Sequence, residues 1–281
     1  MAVIEMFDHI SRAIVRLPGR ELATAATIGV PDAARAASQH NKYADALRQC
    51  GVDVVTLPAD PALPQACLVG STAVMTDQLA VIGNFSESSL RQGEQKSVAT
   101  ALIGDRFLKF ITAPGLLDGE DVLRIGNHFY IALSGQTNQE GAAQLAFFLT
   151  EFGYGVTMLE QSPENAVRLN TAAAYLGQNA LLVREELARN FAFLSFDKII
   201  VPYRERGAAA SILVNGTVLM PAGYAQTAAA VKETGIPVIE LNISEFEKIG
   251  ASLKTLSLRL PKAAVRDPVQ LPQNFKKTGA L

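Results

Sequence analysis

Asp121–Leu159, D-V-L-R-I-G-N-H-F-Y-I-A-L-S-G-Q-T-N-Q-E-G-A-A-Q-L-A-F-F-L-T-E-F-G-Y-G-V-T-M-L, carries one complete unit of the fold. Asp121–Ile125 and His128–Ser134 are short β-rich runs flanking Gly126-Asn127, a two-residue hairpin signal. Asn138–Gly153 then has the apolar spacing of an amphipathic helix, and Gly155–Leu159 reads as a strand. The unit is strand, turn, strand, helix, strand. It recurs on both sides. Upstream, Cys67–Thr76 and Leu79–Ile82 flank Asp77-Gln78, and polar Ser86–Gln95 leads into a helix ending near Ile103. Downstream, Leu169–Tyr175 and Ala180–Val183 flank Gly177-Gln178-Asn179, followed by a helix and the strand Lys198–Val201. Ser211–Val214 and Val218–Met220 flank Asn215-Gly216-Thr217, followed by the helix Ala225–Thr234 and the strand Pro237–Leu241.

The strand starts near Ser71, Asp118, Arg168, Ser211 and Thr255 recur every 43–50 residues, the mark of a repeat architecture. One such unit cannot bury its sheet face alone, so circular closure of several is the physical solution. The N-terminal part supplies a helix, Ala34–Gly51, and a strand, Val52–Leu57. The last strand, Leu256–Leu260, has no later hairpin partner and closes the ring with these elements. The expectation is one α/β propeller-like domain over 1–260. Pro261–Leu281, with Pro261, Pro268, Pro272 and Lys276-Lys277, is expected to form an extended tail that lies on another surface. Phase-equivalent strand starts converge on a propeller axis, which brings Asp118 and Arg168 together.

Of 281 residues 49% are hydrophobic, enough for a sizeable core, and the net charge of −2 suggests neither nucleic acid nor an anionic membrane as partner. No run is long and apolar enough to span a bilayer. Cys50 and Cys67 are too few for a disulfide framework and read as buried small hydrophobes, with a reactive thiol as the alternative. The N-terminus has no secretory signal, so the cytoplasm is expected, or the mitochondrial matrix if a presequence has been removed. His9, His40 and His128 share no phase in the repeats and read as structural. No Gly-rich phosphate loop is present. Asp118 and Asp121 read as caps of backbone amides, with cation binding as the alternative. Lys254 is expected to face away from Thr255 on a strand.

The chain resembles a dimethylarginine dimethylaminohydrolase of the pentein superfamily, whose members are five-bladed α/β propellers. The resemblance rests on M-F-D-H-I at Met6–Ile10, Q-H-N-K-Y at Gln39–Tyr43, D-G-E-D-V-L at Asp118–Leu123 and G-N-H-F-Y-I-A-L-S-G-Q-T-N-Q-E-G at Gly126–Gly141. V-N-G-T-V-L-M-P-A-G-Y at Val214–Tyr224 and S-L-R-L at Ser257–Leu260 extend it. It implies a cysteine nucleophile where this chain has Thr255, and a proton-shuttling histidine where it has Arg168. It implies guanidinium-holding acids at Gly70 and Ser71, in the run Leu68-Val69-Gly70-Ser71, and at Gln65. A substrate-carboxylate arginine falls on Gln136, a second is kept as Arg91, and a buried glutamate becomes Asp118.

A threonine hydroxyl has no thiolate-like form, and an arginine cannot relay a proton. No catalytic residue is therefore expected at the degenerate positions Thr255, Arg168 and Asp118. Gln65, Leu68, Ser71, Arg91 and Gln136 are the candidate ligand-binding positions. No metal or cofactor is expected. The reading is a catalytically inactive dimethylargininase-like protein serving as a structural or protein-binding subunit, its tail after Pro261 reaching a neighbour. Two alternatives stay open. One is a hydrolase with altered chemistry, using Asp118 with Ser211 or Thr255. The other is a sensor binding a small anionic ligand in the pore through Arg168 and Arg91.

Overall fold

The chain enters on β1 (Ile10–Arg16), crosses through α1 (Ala33–Gln49) and returns as β2 (Asp53–Leu57), parallel to β1. This is a computed structural model, and it describes residues 9–87, 89–159 and 167–263. Asp32 caps α1 by accepting from the Arg35 amide at 2.8 Å, and the helix buries Ala36, His40, Tyr43 and Leu47, one face at alternating spacings of four and three. The second blade is β3 (Ala73–Met75), β4 (Leu79–Ile82), α2 (Glu94–Ala101) and β5 (Phe107–Phe110). The third is β6 (Val122–Ile125), β7 (His128–Ala132), α3 (Gln139–Glu151) and β8 (Gly155–Leu159).

The fourth blade opens with the short helix α4 (Leu169–Ala172) and continues as β9 (Ala173–Gly177), β10 (Ala180–Arg184), α5 (Glu185–Ala188) and β11 (Asp197–Val201). The fifth holds β12 (Ile212–Val214), β13 (Thr217–Pro221), α6 (Ala225–Glu233), β14 (Val238–Leu241) and α7 (Ser244–Glu247). Finally β15 (Leu258–Pro261) pairs antiparallel with β1, Ile10 opposite Pro261, and closes the ring as expected. The result is five three-stranded sheets among the described residues, each with an antiparallel inner pair and a parallel outer strand.

Burial follows position in the blade. Every residue of β4 is buried, and the middle strands β7, β10 and β13 are nearly so, because both their faces are covered. The outer strands β2, β5, β8, β11 and β14 are more exposed. Asn215 pins the fifth blade to the first: its side chain accepts from the Ile10 amide and donates to the carbonyls of Ile10 and Cys50, each at 2.9 Å. The Asn215-Gly216 turn has both residues at positive φ, 47° and 84°, the geometry that Asn-Gly favours.

Three sequence expectations change. Two inner strands begin later than expected, β3 at Ala73 rather than Cys67 and β9 at Ala173 rather than Leu169, while β6, β12 and β15 begin within two residues of expectation; a helical turn precedes each of the five: Val69–Ser71, Gly119–Asp121, Leu169–Ala172, Tyr203–Ala210 and Leu253–Leu256. The reason is local. The hydroxyls of Ser71, Thr72, Thr171, Ser211 and Thr255 donate back to the carbonyls of Leu68, Val69, Arg168, Ala208 and Ser252, each three residues earlier and 2.6–3.3 Å away. Such bonds offer the backbone a turn in place of a ladder. In the Gly119–Asp121 turn the Asp118 carboxylate does this work, accepting from the Glu120 amide at 2.9 Å.

Second, the helix expected in the fourth blade is only the short α5, followed by a separate turn at Phe191–Phe193 that Asn190 caps. Third, the boundary at 260 lies inside β15, since Pro261 pairs with Ile10 and the Lys262 amide donates to His9 O at 2.9 Å. From residue 264 the expected tail lies outside the described residues. Among the described residues no helix is long and apolar enough to cross a membrane.

Candidate functional site: a charged cluster on the propeller axis

The five turns that precede the inner strands meet at the centre of the ring, and two glycines allow the approach. A methyl group on Gly70 would overlap the Lys254 carbonyl oxygen and lie 2.7 Å from that of Ser257. One on Gly119 would lie 3.0 Å from Gly70 O and 3.2 Å from Ser71 O and Ala73 O. Backbone therefore packs on backbone here, forming a floor across the axis.

Beside this floor lie two guanidiniums and four carboxylates. Arg168 places Nη2 at 2.7 Å from Asp118, Nη1 at 2.8 Å from Glu120 and Nε at 3.4 Å from Asp121. Arg91 donates from both Nε and Nη2 to one oxygen of Glu94, Oε2, at 2.8 and 2.7 Å, with Nη1 3.5 Å from Asp118 and Nη2 also donating to Leu68 O at 3.2 Å. The acids also do structural work. Asp121 accepts from Ser134 Oγ at 2.6 Å and Thr137 Oγ1 at 2.7 Å, and Asp118 caps its turn. The capping reading holds for Asp118, which accepts from the Glu120 amide, but Asp121 accepts from the Ser134 and Thr137 hydroxyls instead; both carboxylates also face Arg168.

Charge decides the protonation states. Four acids face two fixed cations, and all six groups are largely withdrawn from water. Burial pushes Glu120 up to about 7, against the pull of Arg168, with Asp118 and Asp121 adding to the rise. Burial likewise raises Asp121 and Glu94. Burial works against the charge on Arg168 and Arg91, but the facing carboxylates outweigh it and hold both arginines protonated.

The sequence-predicted positions fall in different places. Asp118, Arg91 and Arg168 come together, and Leu68 contributes its carbonyl to Arg91. Ser71 is buried with its hydroxyl on Leu68 O. Gln65 is half-buried, and its carbonyl accepts from the Leu68 amide. Gln136 is exposed, and its backbone amide donates at 2.9 Å to Ser134 Oγ, which in turn donates to Asp121. Thr255 is buried in its own turn: its hydroxyl donates to Ser252 O at 2.6 Å and accepts from the Ser252 amide at 3.2 Å.

Lys254 departs from expectation. It lies in a helical turn rather than on a strand, is buried, and donates from Nζ to Ala173 O at 2.5 Å. Glu120 and Glu94 were missed altogether. Signals existed: Glu120 is one of three acids in D-G-E-D, and Glu94 lies at the i+3 spacing from Arg91.

No activated thiol or histidine adjoins the cluster among the described residues. Burial pushes the Cys67 thiol up to about 12, with Glu94 adding to the rise, and burial also raises Cys50. His40 is buried away from the axis on α1 and pushed down to about 4. His128 shares a 2.8 Å hydrogen bond with Thr157 on β8.

No protein-family model matches the chain. It is 36% identical over 261 residues to dimethylarginine dimethylaminohydrolase of Pseudomonas aeruginosa, covering 90% of this chain and 100% of that protein. The Streptomyces coelicolor enzyme of the same name is 29% identical over 257 residues, covering 89% and 96%. A cysteine-to-serine mutant of the Pseudomonas aeruginosa protein, complexed with citrulline, superimposes with a TM-score of 0.85 at 34% identity, covering 90% of this chain and all of that one. The N-terminal domain of a cyanobacterial arginine dihydrolase shares the fold with a TM-score of 0.77 at 18% identity, covering 90% and 98%. The ring of five blades and the match along nine-tenths of the sequence place this chain in the dimethylarginine dimethylaminohydrolase family, with the pentein fold.

Proposed function

We propose that this chain is a family member that does not hydrolyse guanidino compounds and serves as a binding or structural subunit of a larger assembly. One observation carries the reading: the Arg168 guanidinium is seated against Asp118, Glu120 and Asp121, so the chain's own side chain takes the carboxylate contacts that an external guanidinium needs. Thr255, at the position the resemblance gives to the nucleophile, has its hydroxyl committed to Ser252. Attack on a guanidinium carbon needs an activated nucleophile and a group that carries protons. Arg168 stays protonated and can do neither.

The second reading, hydrolysis by altered chemistry at the same axis, is supported by descent, because relatives of similar length are named as hydrolases. The anion-sensor reading of Arg168 and Arg91 loses ground, since both guanidiniums already face carboxylates. A citrulline-release assay with dimethylarginine and arginine separates the first two. The expected result is no release above a heat-killed control, and catalytic release overturns the proposal. Thr255→Cys with Arg168→His is also expected to stay inactive, because position 255 is only 1% exposed and burial raises a thiol there instead of activating it.

For the binding role, the apolar side chains of Phe191, Leu194 and Ile200 and the ring of Tyr203 are exposed along one stretch of the fourth blade. The chain beyond 263 is the second proposed contact. Deleting 264–281 is expected to weaken co-purification with the native partner while leaving the melting temperature unchanged. Full assembly without that segment removes it from the proposal.

A further inference from the structure

Beside the close backbone contact at Gly70 and Gly119 the inner strands line an open cavity of about 1090 Å³. Its walls are the inner strands, from their first residues Ala73, Val122, Ile212 and Leu258 onward, and the hairpin turns Gly177–Asn179 and Asn215-Gly216. Gly70, Gly119, Asn170, Ser211 and Lys254, from the segments that precede the inner strands, also line it, so the cavity lies beside the turns that carry the acid cluster. None of the six cluster residues lines the cavity.

The lining is electrostatically one-sided. Lys254, Arg259 and Arg124 contribute to it, and no aspartate or glutamate does among the described residues. Lys254 is only 5% exposed, uses one of its three N–H donors on Ala173 O, and has no carboxylate within 4.0 Å among the described residues. Arg259 directs Nη1 to Lys254 O and Ser257 at 3.0–3.1 Å, which holds a second cation beside the first. A buried ammonium without a counter-ion is costly. Lys254 therefore sits as an unneutralised donor in the wall of a cavity large enough for a small ligand.

We infer that this cavity is a second ligand site, taking a small organic dianion, a dicarboxylate or a phosphate ester, whose anionic oxygens receive the remaining Lys254 N–H donors. The inference does not depend on whether the chain hydrolyses guanidines, since no cluster residue lines the cavity. It also accounts for the state of the amine. Burial pushes Lys254 down to about 7, Arg259 and Arg184 press in the same direction, and Glu120 opposes them. A bound anion supplies the missing counter-charge and draws a proton onto Nζ.

Isothermal titration calorimetry of the full chain at pH 8 tests this, with succinate as the carboxylate probe and glycerol phosphate as the ester. The expected result is saturable binding of at least one probe, with net proton uptake seen as a heat that changes between buffers of different ionisation enthalpy. Which probe binds assigns the chemistry. Lys254→Met, a change that removes a buried charge at similar volume, is expected to weaken binding on the order of tenfold or more. No saturable binding by either probe up to about 10 mM overturns the inference. So does equal binding by the variant. Should the variant not fold, absence of proton uptake by the unaltered chain overturns it instead.

Discussion

Arg168 is held by three carboxylates, so its removal leaves acids packed together without their counter-ion. Breaking a buried pair in this way costs about 3–5 kcal/mol, and somewhat less here because Arg168 keeps a third of its surface in water. Arg168→Gly is expected to lower the melting temperature, and about 10 mM guanidinium to restore part of the loss by refilling the contacts. Methylammonium at the same concentration provides the control, lacking the planar fork. Equal effects of the two cations would show that the site has no guanidinium geometry. Glu120 and Lys254 together shape the pH dependence. Between about pH 4.5 and 7 the folded chain keeps a proton on Glu120 that the unfolded chain has released, so stability falls as pH rises. Between about 7 and 10.5 the unfolded chain binds a proton on Lys254 that the folded chain lacks, so stability rises. A minimum near neutrality is expected in denaturant titrations. Glu120→Gln is expected to make the acidic limb shallower, Asp121 and Glu94 supplying what remains of it. These two residues show the limit of reading at this scale. Asp118 and Arg168 were paired from repeat phase alone, whereas Glu120 and Lys254 acquire their character from burial, which no local pattern encodes.

Among the elements, α3 illustrates how one residue serves two structures. Asn138 caps the helix by accepting from Gly141 N at 2.9 Å, and also accepts from Leu116 N and donates to Pro114 O, each at 2.8 Å. It thereby ties the helix start to the segment leading into Asp118. Asn138→Ala is expected to cost about 2–3 kcal/mol, more than an ordinary cap, with Asn138→Asp intermediate because it keeps the oxygen that accepts both amides and loses the donor. Thermal unfolding of the three proteins ranks them. Equal losses for Ala and Asp would place the weight on the Pro114 contact alone. The helical turns before the inner strands are an element that periodicity could not show. Each is three to eight residues long, too short to display a period, and most are closed by a hydroxyl whose target depends on the backbone already having turned.

For the whole molecule, closure is the decisive event, because β1 and β15 are separated by nearly the entire chain. Asn215 reinforces the junction from the fifth blade. Asn215→Ala removes three hydrogen bonds and places a methyl-bearing residue at φ 47°, so a loss of about 3 kcal/mol is expected. Hydrogen exchange at the β1 amides is expected to accelerate, and unchanged β1 protection would remove Asn215 from the closing contact. Closure itself was legible beforehand. Gly126-Asn127 and Asn215-Gly216 mark hairpins through turn chemistry, the units repeat at near-constant spacing, and Leu256–Leu260 has no partner except the N-terminal strand. These features are local or periodic, and each residue type carries its own steric reason, so sequence by itself determined the five-bladed ring and the convergence of Asp118 with Arg168. What lies at the centre was decided only by tertiary structure. The close backbone approach at Gly70 and Gly119 sets an acid-rich cluster beside a cation-lined cavity. It also brings Glu94 and Arg91 from one blade against Asp118 from another. Those contacts join residues far apart in the chain, and their energies come from desolvation and distance, which exist only once the ring has closed.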